Sequence, residues 1–260
     1  MTRFESIDWY DTPRYYDIVF DAGTVAECDF LESMKKSYGL SRGNRVLEPA
    51  CGSGRLVAEM ARRGYAVSAF DRNEHMLDFA RRRLSSSGLR AKLHKLELDD
   101  FTLRGRFDLA HCLVSTFKYL LSEGSACKHL ECTARALAVG GIYVLGFHLS
   151  EYGSTSKTRE RWVETRENTT VTCNTQFWPP DTRRRIERVR TRLTVRENGS
   201  TARYETSWKF RTYNAGQVRR LLRSVPQLEH IATYDFTYRI DRPRELSDEQ
   251  LDVVLVLRRR

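Results

Sequence analysis

Three carboxylates stand at comparable places in three successive apolar segments of this sequence. Glu48 lies in "VLEPACGSG", just before two glycines and a helix-like stretch, Asp71 ends "AVSAFD", and Glu97 lies in "KLELDDF". If the segments are neighbouring strands of a parallel sheet, their carboxyl ends meet at one edge of that sheet. A helix start there offers free N–H groups, and glycines let a ligand approach the backbone closely. The pattern predicts a site for a ligand with several polar groups; the alternative is three ordinary strand-end carboxylates.

The glycine spacing and the first carboxylate separate two ligand classes that use such a turn, dinucleotides and S-adenosylmethionine. The dinucleotide fingerprint requires G-x-G-x-x-G, whereas Val57 stands three residues after the second glycine of the turn 52–54. Glu48 would repel a pyrophosphate and suits the ammonium group of a methionine moiety. Asp71 is placed to accept hydrogen bonds from ribose hydroxyls, and Glu97 from the adenine amino group. The three acidic positions therefore favour S-adenosylmethionine.

The segments that must position these carboxylates alternate in type from about residue 45 to 150. The predicted strands are "RVLEPA", "AVSAFD", "AKLHKLEL", "FDLAHCLV" and "GIYVLGFHL", and helices are predicted at about 55–63, over "MLDFARRRLSS" and across 126–137. After residue 213, a helix "NAGQVRRLLRSV" with Asn214 as its cap precedes two strands, "LEHIATYDFTY" and "DVVLVLRR", which would close the sheet as an antiparallel pair. The predicted fold class is α/β, with a Rossmann-like, seven-stranded, mostly parallel sheet.

A stretch with a different hydrophobic period interrupts this alternation. Between residues 158 and 213 the period changes from 3.6 to 2, as where Val189 and Leu193 alternate with Arg188 and Arg190. The dipeptide at 198–199 is Asn-Gly, which favours a two-residue type I′ hairpin turn. We predict an antiparallel β-meander of three or four strands whose apolar face covers something. The predicted organisation is an N-terminal lid and helix at 1–44, a ligand-binding core at 45–150, the meander at 151–213 over the site, and a C-terminal helix and strands at 214–260.

The composition bounds the class of protein. The 260 residues carry a formal net charge of +10, and residues 151–213 hold 14 Lys and Arg against 8 Asp and Glu. This basic stretch either binds an anion such as nucleic acid or is a solvated face. No apolar run approaches the roughly 20 residues that cross a bilayer, and the N-terminus lacks the apolar core of a signal peptide. The six cysteines are scattered without a CxxC pair, which favours reduced thiols in a cytoplasmic protein and no metal site.

Together these motifs resemble the class I S-adenosylmethionine-dependent methyltransferases, from about Tyr16 to the C-terminus. "VLEPACGSG" is similar to the first motif of that family, "FDRNEHML" to the second, and "LELDDF" to the segment that contacts adenine. The N-terminal "YYDIVF" and the meander resemble the small-molecule N-methyltransferases, of the aminosugar N,N-dimethyltransferase and glycine N-methyltransferase type. In that group an equivalent insert covers the active site, although the arginine-rich composition of this meander departs from the pattern.

The resemblance implies methyl transfer to a small molecule, most readily at nitrogen, with S-adenosyl-L-methionine as cofactor and S-adenosyl-L-homocysteine as product. It implies that the cofactor contacts come from Tyr16, Glu48, Ala50, Cys51, Gly52, Gly54, Asp71, Arg72, Met76, Glu97, Leu98 and Leu113. The expected substrate-binding residues follow the fourth and fifth strands or lie in the meander: Ser115, Thr116, Tyr119, His148, Trp178 and Trp208.

Two residues are candidates for catalysis. Histidine transfers protons near neutral pH, and His148 ends the predicted fifth strand, although a lone histidine also serves structural roles. Tyr16 lies in the predicted lid, where it either contacts the cofactor or packs the lid onto the sheet. Trp178 and Trp208 either hold an ammonium group between their rings or pack the underside of the meander.

Two other functions remain open from the sequence. An RNA methyltransferase would use the arginine face of the meander, and a non-catalytic regulatory protein would bind the cofactor behind a blocked methyl side, for example at Phe117. The stretch 113–117 lacks the [D/N]-P-P-[Y/F] motif of adenine and glutamine N-methyltransferases. The sequence leaves open the acceptor, the methylated element, the use of a base, and whether the protein is a monomer or a homodimer.

Overall fold

The computed structural model describes residues 3–260, so that Met1 and Thr2, the first residues of the predicted lid, lie outside the described part. The helices are α1 (Pro13–Phe20), α2 (Thr24–Tyr38), α3 (Arg55–Arg62), α4 (Glu74–Ser86), α5 (Glu123–Ala136) and α6 (Ala215–Arg223). The first six strands are β1 (Glu5–Ser6), β2 (Arg45–Pro49), β3 (Ala66–Asp71), β4 (Lys92–Lys95), β5 (Phe107–Cys112) and β6 (Leu137–His148). The others are β7 (Thr158–Arg166), β8 (Thr169–Phe177), β9 (Ile186–Glu197), β10 (Ser200–Arg211), β11 (Leu228–Tyr234) and β12 (Asp252–Arg259).

Within residues 3–260, the main sheet has seven strands in the order β11-β12-β6-β5-β2-β3-β4. Strands β2 to β6 run parallel, and β12 pairs antiparallel with both β6 and β11. The predicted α/β class and the Rossmann-like, mostly parallel sheet are confirmed. The chain moves from β2 to β3 and β4 on one side, then returns to β5 on the other side of β2. The carboxyl end of β2 is therefore the switch point where α/β proteins bind ligands.

Local sequence accounts for where the flanking helices begin. The side chain of Asn73 accepts a 3.0 Å hydrogen bond from the N–H of Met76 and caps α4. At α6, Asn214 and Gln217 form a reciprocal capping box, as the placement of Asn214 predicted. These caps fix the first turns of both helices relative to the strands that precede them.

The edge strand β4 is shorter than its sequence predicted. It ends at Lys95, which pairs with Asp71, the last residue of β3, and beyond this point β4 has no partner strand. The predicted strand continued through Glu97 to Leu98, and this extension is corrected: Glu97 instead lies in a tight turn that bridges back to Asp100. Glu97 is exposed there.

Within the described residues, a second sheet has the order β1-β10-β9-β8-β7, in which β7 to β10 are antiparallel neighbours. Asn198 and Gly199 both have positive φ angles, 49° and 79°, as the hairpin turn between β9 and β10 requires. The N-terminal strand β1 adds to this sheet, parallel to β10. One face of the sheet packs with the N-terminal segment in a buried cluster of Trp9, Ile18, Val19, Val171, Cys173, Leu193 and Val195. The underside of this sheet therefore covers α1 and the turn before it.

Two further observations concern the described residues 3–260. Their helices include no segment with the length and apolar character of a membrane span. They contain no group of three or more His, Cys, Asp or Glu side chains arranged to hold a metal ion, and the six cysteines are free thiols.

Candidate functional site

Residues 50–54 form the turn between β2 and α3, called the glycine turn below. Ala50, Gly52 and Gly54 all have positive φ angles, of 54°, 53° and 71°. At Gly54 an added Cβ would also lie only 2.6 Å from Cβ of Ala80 in α4. Glycine is therefore required at position 54 both by the backbone conformation and by the close approach of two helices.

The last residue of β3 holds the glycine turn in place. Oδ2 of Asp71 accepts a 2.9 Å hydrogen bond from the N–H of Gly52, and Oδ1 accepts one of the same length from the N–H of Asn73. Burial raises the pKa of Asp71 above its ordinary value, and these N–H donors oppose that rise. Each oxygen of an ionised carboxylate can accept more than one hydrogen bond, so Asp71 retains capacity for a ligand.

Glu48 lies in β2, buried behind the glycine turn. Its Oε2 has no hydrogen-bond partner among the described residues and lies 4.0 Å from Nε2 of His111, a fully buried residue of β5. Burial raises the pKa of Glu48 well above its ordinary value and lowers the pKa of His111 to about 3. Burial therefore favours the uncharged form of each side chain. Sequence analysis missed His111, although a histidine within the buried run "FDLAHC" was the available signal.

The remaining predicted cofactor residues surround this edge in different environments. Glu48 and Asp71 lie in the last residues of the adjacent strands β2 and β3, whereas Glu97 lies in the turn that follows β4. Met76 is fully buried in the first turn of α4. The carbonyl of Leu98 accepts a 2.7 Å hydrogen bond from Nδ1 of His129. Arg72 is exposed, whereas Cys51 and Leu113 are buried.

A buried carboxylate ties the N-terminal segment to the glycine turn. Asp17 in α1 is fully buried and accepts a 2.7 Å hydrogen bond from Oγ of Ser53. It also forms ion pairs with Arg83 of α4 and, at 2.6 Å, with Arg166 of β7. Asp17 therefore links the turn, α4 and the second sheet. Sequence analysis did not single out this residue.

Tyr16 lies between the glycine turn and a larger space beside it. An added Cβ at Gly52 would lie 3.6 Å from the Tyr16 ring. Burial raises the pKa of Tyr16 far above its ordinary value, so its hydroxyl stays protonated and is available to donate a hydrogen bond. Tyr16 is thus suited to contact a ligand on the turn and unsuited to act as a base.

The space on the other side of Tyr16 is a cavity of about 380 Å³, called the large cavity below. It is bounded by the N-terminal segment, by the segments after β5 and β6, and by the underside of the second sheet. Its lining includes every predicted substrate-binding residue together with Tyr16: Ser115, Thr116, Tyr119, His148, Trp178 and Trp208. The glycine turn, Asp71 and Glu48 are not part of its lining.

The large cavity contains two charged pairs that sequence analysis missed. Nδ1 of His148 lies 2.7 Å from Oδ1 of Asp252, and Nζ of Lys118 lies 2.6 Å from Oε1 of Glu187. The Lys118–Glu187 pair is almost completely buried, whereas His148 and Asp252 are open to solvent. Glu160 of β7 also lines the cavity.

Aromatic side chains form much of the wall nearest Tyr16. The hydroxyls of Tyr10 and Tyr119 are 2.6 Å apart, and the Trp9 ring meets the Tyr16 ring edge-on at a centroid distance of 5.2 Å. The Trp208 ring lies 6.2 Å from that of Tyr119. Trp9 and Tyr10 were absent from the predicted site because they precede α1 and carry no recognisable motif.

Trp178 is placed differently from the other predicted aromatic residues. It borders the large cavity, but Arg188, Arg190 and Lys157 place their charges 5.3, 5.2 and 5.5 Å from its ring centre. Side chains alternate between the faces of a strand, and Glu187, which neighbours Arg188, lines the cavity. The arginines of β9 therefore lie on the outer face of the second sheet, away from the large cavity.

The sequence and fold of this region match known proteins. Residues 46–141 match the family model of the methyltransferase domain. The ubiquinone biosynthesis O-methyltransferase of Aromatoleum aromaticum is 30% identical over 107 residues, which are 40% of this chain and 44% of that protein. The chain spans about half the length of the curated relatives it matches.

Solved structures match over almost the whole chain. An S-adenosylmethionine-dependent methyltransferase from Clostridium acetobutylicum matches with a TM-score of 0.76 at 17% identity, over 96% of this chain and 98% of that one. The sugar N-methyltransferase KedS8 from Streptoalloteichus sp. matches with a TM-score of 0.72 at 18% identity, over 100% and 97%. The chain therefore has the class I methyltransferase fold, and the resemblance inferred from its motifs is confirmed.

Proposed function

We propose that the protein is an S-adenosylmethionine-dependent methyltransferase that acts on a small molecule, at nitrogen, because residues 46–141 match the methyltransferase domain model. The observation that carries this proposal is the position of Tyr16, whose ring lies against the glycine turn and also lines the large cavity. A cofactor on the turn and an acceptor in the cavity would therefore meet at Tyr16. The similarity in fold to KedS8, which is described as a sugar N-methyltransferase, supports a small acceptor that is methylated at nitrogen.

The residues of the sheet edge fit the polar groups of the cofactor. Gly52 and Gly54 allow close approach to the N-terminus of α3, and Asp71 would accept hydrogen bonds from the ribose. The buried, unpartnered Oε2 of Glu48 is available to interact with the methionine ammonium, directly or through the turn. Met76 and Leu98 would flank the adenine, whose amino group would lie near Glu97.

The further predicted contacts keep their proposed roles on the cofactor side. Ala50, Cys51, Arg72 and Leu113, which lie in the glycine turn or follow β3 and β5, would contact the cofactor there. The sulfonium of the bound cofactor supplies an electrophilic methyl group. The task left to the protein is to align a nucleophile with that methyl group and to exclude water.

The second sheet and the N-terminal segment serve that task in this proposal. Residues 151–213 cover the large cavity, and the N-terminal segment closes it beside the glycine turn. Ser115, Thr116, Tyr119, His148 and Trp208 would contact the acceptor. The volume of the cavity, about 380 Å³, lies within the ordinary range of small-molecule sites.

No specific observation favours the two alternative functions. The arginines that an RNA methyltransferase would use lie on the outer face of the second sheet, opposite the large cavity. The regulatory alternative required a blocked methyl side, with Phe117 as the obstacle. Phe117 is fully buried and packs instead against Phe147 and Tyr213, at centroid distances of 5.5 and 5.8 Å.

The proposal is tested by incubating the protein with methyl-labelled S-adenosylmethionine and a pool of small metabolites. We expect label to appear in a low-molecular-weight product, and Asp71→Ala to abolish it at low cofactor concentration. Asp78→Ala, which changes an exposed carboxylate of α4, serves as the matched control. Label transferred only to added RNA, or no transfer although S-adenosylhomocysteine binds, would contradict the proposal.

A further inference from the structure

We infer that Glu160 and the His148–Asp252 pair form an amine site in the large cavity, where Glu160 holds the ammonium form of the acceptor and His148 removes its proton. The inference rests on the proposed function and deepens it by naming the reacting group of the acceptor. It assigns roles to Glu160 and Asp252, neither of which the sequence motifs indicated.

Glu160 is a carboxylate that faces the cavity without a cationic partner. It lies on β7 opposite Thr175 of β8, and both residues line the cavity. Among the described residues, no Lys, Arg or His nitrogen lies within 4.0 Å of its carboxylate, whereas Lys118 is already paired with Glu187. A ligand cation would supply the missing partner.

The surroundings of Glu160 support this assignment. Glu160 is exposed at the cavity wall, and partial loss of water around its carboxylate raises its pKa above the ordinary value. His148 and Lys118 oppose the rise, whereas Asp252 adds to it. A bound ammonium group would favour the ionised carboxylate and would itself be favoured by it. Trp162, two residues along β7, and Trp208 add aromatic faces to the same cavity, and such faces attract cations.

Asp252 positions the imidazole of His148. The two residues are directly opposite each other in the antiparallel pairing of β6 and β12. With its proton on Nδ1, His148 donates the 2.7 Å hydrogen bond to Oδ1 of Asp252, which leaves the lone pair of Nε2 free. The backbone N–H of His148 also donates to Oγ of Ser115 at 3.2 Å, which fixes the end of β6. Asp252 is thus a positioning residue for a base at Nε2.

Proton removal from the acceptor precedes methyl transfer. Nε2 of His148 takes one proton from the ammonium group held by Glu160, which leaves a neutral amine and an imidazolium stabilised by Asp252. The nitrogen lone pair forms a bond to the methyl carbon while the bond from that carbon to sulfur breaks. The products are a methylated ammonium and neutral S-adenosylhomocysteine, and the imidazolium later returns its proton to water.

The site therefore selects an aliphatic amine, which is charged in water near neutral pH. A neutral alcohol of the same shape would leave Glu160 unpaired in the cavity, and a carboxylate would be repelled by it. Because Glu160 is exposed at the cavity wall, its preference for the amine comes from charge attraction. The inference does not depend on which skeleton carries the amine.

The positioning role of Asp252 is tested without any acceptor, by ¹⁵N NMR of the imidazole nitrogens of His148 in the intact protein. We expect wild type to show the tautomer with the proton on Nδ1, and Asp252→Asn to lose this preference. Asp252→Glu should restore it, and Asp241→Asn, an exposed carboxylate paired with Arg239, should leave it unchanged. An unchanged tautomer in Asp252→Asn would overturn the assignment.

The role of Glu160 is tested with tetramethylammonium and its neutral analogue tert-butanol, followed by tryptophan fluorescence. We expect wild type to bind the cation more tightly than the alcohol, and Glu160→Gln to weaken cation binding at least tenfold. Glu164→Gln, which lies one inward position beyond Trp162 on β7 and outside the cavity lining, should behave as wild type. Equal cation binding by Glu160→Gln would overturn the inference.

The failure of this inference is distinguishable from that of the proposed function. Binding of S-adenosylhomocysteine is measured on the same variants, and we expect Glu160→Gln to retain wild-type affinity because Glu160 lies on the acceptor side. Methyl transfer to cyclohexanol in preference to cyclohexylamine would refute the amine site and leave the methyltransferase intact. Absence of cofactor binding by wild type would refute the methyltransferase itself.

Discussion

The N–H of Gly52 donates a 2.9 Å hydrogen bond to Oδ2 of Asp71, so the residue that ends β3 also holds the turn that follows β2. Two adjacent strands of the sheet are thereby coupled at the switch point. A ligand that packs against the glycine turn and donates a hydrogen bond to Asp71 would contact the ends of both strands. Substitution of either Gly52 or Asp71 should therefore affect the same binding site.

Replacement of Gly54 by alanine should destabilise the protein more than replacement of another glycine with similar backbone conformation. The new Cβ would lie 2.6 Å from Ala80 and would also occupy a φ of +71°. The expected loss is about 2–4 kcal/mol, the sum of backbone strain and overpacking. Gly88→Ala, with a φ of +65° and nothing within 4 Å, should cost only about 1–2 kcal/mol. Urea unfolding measures both, and equal losses would contradict the close helix contact.

Asp17→Ala should be strongly destabilising. It leaves Arg83 and Arg166 without a buried carboxylate and removes the acceptor of Ser53. The expected cost is about 1.5–3 kcal/mol, as for hydrogen bonds to a charged group, because both arginines are partly exposed and keep Asp21 as a partner. Asp29→Ala removes an exposed partner of Arg63 and should cost less than about 1 kcal/mol. A chemical denaturation midpoint for Asp17→Ala near that of Asp29→Ala would show that Asp17 does not link the three elements.

The free energy of unfolding of Glu48→Gln, relative to that of wild type, should increase as pH rises. The pKa of Glu48 is raised in the folded protein, whereas in the unfolded chain it is about 4.3. Above pH 4.3 the unfolded state releases this proton and the folded state keeps it, so the wild-type protein loses stability until the pH passes the folded pKa. The glutamine variant lacks this loss.

The measurement is the difference in free energy of unfolding between Glu48→Gln and wild type from pH 5 to pH 8. The difference should rise with pH, with a slope of at most about 1.4 kcal/mol per pH unit. Glu59→Gln, whose exposed partner Arg62 and neighbour Arg63 lower the pKa of Glu59, lacks this rise and is the control. A flat difference for Glu48→Gln would mean that the carboxylate is ionised in the folded protein.

The core of the fold was predictable because local signals and burial agree along it. The strands around Val46 and Val67 are mostly apolar, Gly54 precedes a helix, and Asn214 caps one. The end of β4 was not predictable, because it depends on where its partner β3 stops, at Asp71. Strand length at a sheet edge is set by the partner and not by the apolar run itself.

The acceptor side of the site was only partly predictable for a related reason. Tyr119 and His148 were found because they follow predicted strands. Asp252 and Glu160 were missed because only the folded arrangement of strands places them. Strand pairing brings Asp252 beside His148, and the second sheet brings Glu160 to the cavity wall. The two-residue strand β1 carries no local signal, and its place is set by the free edge of β10.

The claim that the glycine turn and the strand ends bind the cofactor is tested most directly by calorimetric titration of S-adenosylhomocysteine and methylthioadenosine. Asp71→Ala should raise the dissociation constants of both ligands roughly 10- to 1,000-fold, through lost hydrogen bonds to the ribose. Glu48→Gln should weaken S-adenosylhomocysteine while leaving methylthioadenosine, which lacks the amino-acid group, nearly unchanged. If Asp71→Ala binds both ligands as wild type does, or Glu48→Gln harms methylthioadenosine as much as Asp71→Ala does, the placement of the cofactor along these strand ends is wrong.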